Sequence, residues 1–213
     1  MPSAALQQRR PEPARNRVPA QNIGQARGFR VRVINSYGEW DSGIERLLAP
    51  FRGENTSRLS RKTLLKQLPA AWRSLAPFGR LRLHVADKTG GPVISEVRLA
   101  PTSLLQGDWT GPESAVAIVL FSLRVEPHAV GDKVRVLAMV GQHALSRRYQ
   151  RAEYSDSAVL TDLQPIVTAW PTVIRRPGDF TVPAGSGIWR GETVRLVLNG
   201  EAMTVMSVRT FVN

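Results

Sequence analysis

AVAIVLFSLRVEPHAVGDKVRVLAMV (Ala115–Val140) is the stretch that decides the fold. It contains two apolar, β-branched runs, Ala115–Glu126 and Lys133–Val140, joined by Pro127–Asp132. Runs of that kind bounded by turn residues read as strands, and their close succession predicts a hairpin. Upstream, Arg80–Asp87 and Pro92–Ala100 flank Lys88-Thr89-Gly90-Gly91, a second hairpin with a clear turn signal. Downstream, His143–Glu153 and Ser157–Trp170 carry helical patterns, with Ser155 or Ser157 as cap of the second and Pro165 in its middle. Phe180–Val182, Gly187–Leu198 and Ala202–Val212 then read as strands, with a turn at Asn199-Gly200. Strands and helices come in blocks, without βαβ alternation. The expected class is α+β: an antiparallel sheet with helices packed on one side.

Further upstream, Phe29–Ser36 alternates Phe29, Val31 and Val33 with Arg30 and Arg32, which predicts a strand. Tyr37-Gly38-Glu39-Trp40 reads as a turn. Asp41 or Ser42 is placed to cap a short helix through Leu48, stopped by Pro50. Asn55–Leu75 reads as helical, divided by Pro69, with Leu59, Leu64, Leu65, Leu68, Trp72 and Leu75 near one face. Arg58, Arg61, Lys62 and Lys66 make its other side basic. Residues 1–28 combine prolines with five arginines against one glutamate, and are expected to form a flexible basic arm. The expected organisation is therefore an arm (1–28), an N-terminal α+β portion (29–140) and a helix-helix-β-meander portion (141–213). The last two are expected to form one compact unit.

Composition narrows the function. The 213 residues carry a net charge of +12, and 25 arginines stand against four lysines. Such a balance favours a polyanionic partner, RNA or other nucleic acid or an acidic protein, although a GC-rich genome also enriches arginine. There is no cysteine, which excludes disulfides, thiol catalysis, iron–sulfur clusters and cysteine zinc sites. Three histidines, His84, His128 and His143, are too few for a histidine zinc site without carboxylates, so no metal site is assigned. No apolar run approaches the ~20 residues that cross a bilayer, and no secretory h-region is visible. No membrane contact is expected, and the cytoplasm is the expected location. His128 reads as a turn residue and His84 as a sheet residue. Gly185-Ser186-Gly187-Ile188-Trp189-Arg190-Gly191 leads into a strand pattern, whereas a dinucleotide fingerprint opens a helix, and no Walker A sequence occurs. No cofactor is therefore expected. Asp108, Glu113, Asp156 and Asp162 are isolated carboxylates, expected at turns, caps or the surface.

His143-Ala144-Leu145-Ser146-Arg147-Arg148-Tyr149-Gln150-Arg151 is the segment in which chemistry is expected. At ~100° per residue, His143, Arg147, Gln150 and Arg151 share an arc of roughly 100°, with Leu145, Tyr149 and Ala152 opposite. One group titrating near neutrality thus stands beside two permanent cations. RNA cleavage by 2′-hydroxyl attack needs such a set: a base for the 2′-hydroxyl proton, cations for the phosphorane, and an acid for the leaving 5′-oxygen. The start of a helix favours the neutral imidazole.

The string His143-Ala144-Leu145 with Arg147 and Arg151, a second helix, and the ending Arg209-Thr210-Phe211 resemble small bacterial toxins of the RelE/BrnT type. These belong to the barnase–colicin–RelE group of metal-independent ribonucleases. The resemblance covers residues 141–213. It implies that His143 is the general acid or base and that Arg147 and Arg151 hold the scissile phosphate. Arg209 and Thr210 would complete the phosphate site from the last strand. Gln150, Arg148, Trp189 and Arg190 are the substrate-binding candidates, the last two by stacking a base. A toxin-like ribonuclease would also have an acidic neutralising protein as partner. The alternatives from charge alone are a non-catalytic nucleic-acid-binding or regulatory protein of a mobile element, or a structural or interaction protein with an acidic partner.

Overall fold

The computed structural model describes residues 19–49, 68, 71–72, 74–81, 93–104, 116–125, 130–152, 154–198 and 200–213. In chain order the described elements are α1 (Ala20–Leu48), β1 (Arg80–Leu81), β2 (Val93–Pro101), β3 (Val116–Val125), β4 (Val130–Val140), α2 (Gln142–Arg151), α3 (Asp156–Val173), β5 (Asp179–Ala184), β6 (Gly187–Leu198) and β7 (Glu201–Val212). The strands form one seven-stranded sheet, ordered β1-β2-β3-β4-β7-β6-β5. The class is α+β. Every junction is antiparallel except β4/β7, where Ala138–Val140 run parallel to Met206–Val208. That junction closes the sheet after the chain has left β4 through α2 and α3 and returned through the β5–β7 meander.

The β3/β4 hairpin forms as expected, from Val116↔Val140 to Val125↔Val130, with a bulge beside Ile118 and Val119. The helices at 143 and 157 also form. Ser155 caps α3 by accepting from the Ala158 amide at 3.2 Å. The three C-terminal strands form as expected, β6 with the expected bounds, β7 starting one residue earlier and β5 extended to Asp179–Ala184 from the expected Phe180–Val182. Gly200 takes the positive φ of 79° that its turn requires. The loop at 107–112, most of the 55–75 segment, the turn at 88–91 and His84 and His128 lie outside the described residues.

The N-terminal region differs from expectation. Residues 29–36 are helical, not a strand, and Tyr37–Trp40, Asp41 and Ser42 lie inside α1. Residues 1–18 of the expected arm lie outside the described residues, and from Ala20 the arm is helix. The reason is the longer-range pattern. Asn22, Ala26, Phe29, Val33, Ser36, Trp40, Ile44 and Leu48 are buried, three or four residues apart throughout. The alternation at 29–33 covers only five residues, and Val31 is 53% exposed beside buried Phe29 and Val33. A helix of this length is held by packing one face, with each large apolar side chain contributing roughly 1.5–3 kcal/mol on burial.

Side chains alternate across each strand, which separates the core into faces. Val116 and Ile118 of β3 join Val97, Leu99, Val140, Val208, Trp189 and Phe211 beneath α2, α3 and the first half of α1. Ala117 and Val119 point to the opposite face, with Val136, Met139, Leu196 and Val205. Helices α2 and α3 occupy one face, as expected. Helix α1 serves both, because its last turns place Trp40, Ile44 and Leu48 against Phe121 and Leu123.

That second face contains a buried charge network. Glu96 accepts from Arg98 and from the Trp72 ring N–H, each at 2.6 Å, and Arg98 lies 4.9 Å from the Trp40 ring centre. Arg98 also donates to the carbonyls of Ala76 and Phe78 at 2.7 and 2.9 Å, which ties the 72–80 segment to the sheet.

Candidate functional site

Helix α2 starts where the β4/β7 ladder ends. The Gly141 amide donates to the Val208 carbonyl at 3.2 Å, and the Leu145 amide then closes the first helical turn on Gly141. Gly141 holds an extended conformation with no side-chain cap. Ala144, Leu145 and Tyr149 are buried against the sheet, and of the expected polar arc His143 and Gln150 are exposed whereas Arg147 is buried.

On that arc, His143 is exposed. Partial burial, and secondarily the charge of Arg147, hold its imidazole below the ordinary histidine range. The neutral form is favoured, as the helix start suggested, but through desolvation and a neighbouring cation. Arg147 donates to the Gln150 side-chain oxygen at 3.1 Å and is itself largely buried. Arg151 donates to the Phe211 carbonyl at 3.0 Å, joining the end of α2 to the last strand. His143, Arg147, Gln150 and Arg151 therefore share one helix that lies against β7.

Two of the substrate-binding candidates are internal. Arg148 is 1% exposed, and its Nε donates to Asp162 of α3 at 2.8 Å. Trp189 is fully buried against Phe211, with ring centres 4.5 Å apart, and its N–H donates to the Asp162 carbonyl at 2.6 Å. Neither is available to hold or stack a substrate. On α2 the reason is angular: Arg148 lies next to Tyr149 on the inward side. On β6 the reason is strand alternation, which puts Trp189 on the helix-covered face.

Arg209 and Thr210 do not join His143. A register shift between Arg190 and Gly191 pairs Thr210 with Arg190 and Val208 with Gly191, leaving Arg209 as the extra residue. Val208 and Phe211 point into the core beneath α2, so Arg209 and Thr210 point to the far side of the sheet. Arg209 pairs there with Glu192. Together with Arg190, Asp179, Phe180, Thr181 and Gly191 they line a depression of about 390 Å³. The expected site thus divides into a helix-borne group on one face and a sheet-borne pocket on the other.

Asp162 was expected at a turn, cap or the surface. Instead it is buried and central. Besides Arg148 it accepts from the backbone N–H of Ser186 at 3.3 Å and from its hydroxyl. Asp156 receives two bonds from Arg32 of α1, at 2.5 and 2.6 Å, and one from the Tyr149 hydroxyl at 3.3 Å. Burial, then Asp156, push the Tyr149 hydroxyl pKa well up. The spacing of Asp162 six residues after Asp156 gave no sign of these partners, since all lie on other elements. Among the described residues no three His, Asp or Glu side chains are grouped to hold a metal ion, and no helix is long and apolar enough to cross a membrane. No family model, characterised protein or solved structure matches the chain.

Proposed function

We propose that the protein binds nucleic acid, RNA in the first instance, through its arginine-rich surface. One observation carries this reading. Among the described residues, the two most buried carboxylates, Glu96 and Asp162, are each paired inside the protein with a buried arginine, Arg98 and Arg148. Those internal pairs are neutral, so the net charge of +12 belongs to the rest of the chain. A field of that sign attracts a polyphosphate and releases its counterions on binding. The setting that goes with this reading is the cytoplasm. The test is a mobility shift of the full chain with RNA across a salt series. Log affinity is expected to fall linearly and steeply with log salt, and a flat dependence overturns the reading.

A second reading, a toxin-like metal-independent endoribonuclease, is favoured by His143. An exposed imidazole biased to its neutral form suits a general base for the 2′-hydroxyl, with Arg151 on the same helix for the phosphate, while buried Arg147 would act from behind it. Attack forms the bond from the 2′-oxygen to phosphorus and breaks that to the 5′-oxygen, which takes up a proton. The products are a 2′,3′-cyclic phosphate and a free 5′-hydroxyl. An acidic neutralising protein belongs to this reading as partner. Incubation of the wild type and His143→Ala with total RNA in EDTA tests it. Cyclic-phosphate ends from the wild type alone support it, and their absence from both leaves binding without cleavage.

A further inference from the structure

Strand alternation also sorts the surface charges. The helix-facing side of β3 continues from Val116 and Ile118 through Leu120 and Ser122 to Arg124. Opposite Leu120 and Ser122 on β4 stand Arg135 and Lys133. On β2, Ser95 faces Ser122 with the hydroxyls 3.4 Å apart. The same side of β7 and β6 runs from Met206↔Thr193 through Thr204↔Arg195 to Ala202↔Val197.

Helices α2 and α3 pack over the part of this face that carries Leu81, Val97, Val116, Val140, Val208 and Phe211. Helix α3 ends over β4, where the Arg135 guanidinium lies 5.8 Å from the Trp170 ring centre. The turn after it is tied to β6: the Gly178 amide donates to the Thr193 hydroxyl at 2.7 Å, and the Thr193 amide to the Gly178 carbonyl at 2.9 Å. That turn carries Arg175 and Arg176, both exposed. Beyond it the sheet is open among the described elements, and Arg124, Lys133, Arg135 and Arg195 are exposed on it. The carboxylates of the same strands go the other way. Glu96 is opposite Phe121, Asp132 opposite Leu123 and Glu192 opposite Ser207, all on the far face. Glu201 meets Lys133 only at the rim, at 3.8 Å.

We infer that this open half of the sheet, bordered by Arg175 and Arg176, is the platform on which a single-stranded RNA backbone lies. The inference rests on the nucleic-acid-binding reading and says where on the chain the contact is made. Adjacent strands are ~4.8 Å apart, so the cations from β3 to β6 span roughly 14 Å, room for a few phosphates of an extended strand. Guanidinium groups take phosphate oxygens in bidentate fashion, and Ser95, Ser122 and Thr204 add hydroxyl donors. The surface is shallow, which suits a backbone read without base specificity.

The test compares two full-length double variants of equal charge. Arg124→Gln/Arg195→Gln removes the two ends of the platform, and Arg27→Gln/Arg46→Gln removes two exposed cations of α1. Affinity for a fluorescein-labelled oligouridylate is measured between about 50 and 200 mM salt. The platform variant is expected to lose at least about fivefold in affinity, and its log–log salt slope to shrink by about 1.4, or ~0.7 per lost phosphate contact. The α1 variant is expected to stay within about twofold of wild type. Equal losses in both variants overturn the platform while leaving RNA binding intact. No binding by the wild type overturns both. Binding of poly-glutamate as tight as that of RNA overturns the assignment to a nucleic acid and points to an acidic protein. A 4-thiouridine probe on the wild type gives an independent reading: crosslinks must map to β3, β4, β6 or the 174–178 turn, and crosslinks confined to other peptides overturn the platform.

Discussion

Arg148 and Asp162 form an ion pair of 2.8 Å with both side chains almost wholly excluded from solvent, and that pair joins α2 to α3. Asp162 also holds Ser186 and, through its carbonyl, Trp189. One residue thus connects both helices to the β5/β6 turn.

Removing one partner of a buried pair leaves the other charge uncompensated. Arg148→Met is expected to destabilise the fold by about 3–5 kcal/mol, whereas Arg148→Met/Asp162→Leu recovers most of that loss. Urea denaturation of the three proteins measures it. A single variant as stable as wild type would show that the pair does not hold the helices together.

Trp189 is a core residue, so its truncation is expected to act on stability. Trp189→Ala should cost about 3–5 kcal/mol. The fraction that remains folded should bind RNA as wild type does. Fluorescence anisotropy at low temperature separates the two effects, and a selective loss of affinity in folded protein would return Trp189 to the binding surface.

Val31 and Val33 distinguish the helix from the strand that local alternation suggests. In a strand both would share one face; in α1 one is exposed and the other buried. Val33→Asp is expected to destabilise severely, by roughly 3 kcal/mol or more, and Val31→Asp by no more than about 0.5 kcal/mol. Thermal unfolding of both variants decides it. Similar losses at the two positions would contradict α1.

Gly191 sits in the bulge that turns Arg209 and Thr210 away from α2. A Cβ there would run into the Ser207 carbonyl and lie 2.8 Å from the Phe180 ring. Gly191→Ala is expected to destabilise by about 1–3 kcal/mol. Calorimetry checks this, and an unchanged melting temperature would mean that the strands can part without penalty.

The histidine gives a pH dependence with a definite sign. The folded-state pKa of His143 lies below its unfolded value, so the unfolded chain binds the proton more readily. Its contribution to stability is therefore lost as pH falls below about 6.5, the unfolded histidine pKa, and restored as pH rises through it. His143→Gln should flatten this part of the stability–pH curve. Denaturation midpoints between about pH 5 and 8 measure it, and identical curves for both proteins would remove His143 as the source.

The sequence by itself determined the elements whose signals are local and long enough to be unambiguous. The hairpin of Val116–Val140, the α2 and α3 helices with the Ser155 cap, and the three last strands follow from periodicity and turn residues. The polar arc of His143, Arg147, Gln150 and Arg151 follows from helical angle alone. At residues 29–33 a short two-residue alternation competed with a three-to-four-residue spacing, and burial of Phe29 and Val33 against the sheet decided for the helix. Only the tertiary structure could place Arg209 and Thr210 opposite His143, because one extra residue in a bulge changes which face a side chain takes. Only it could show that Arg148 and Trp189 are internal, since their partner, Asp162, lies 14 and 27 residues away in the chain. The collection of Arg124, Lys133, Arg135 and Arg195 on one open face likewise depends on strand order, β3-β4-β7-β6, which no local pattern encodes. Local preference sets what each segment becomes, whereas pairing register and burial set which side chains meet.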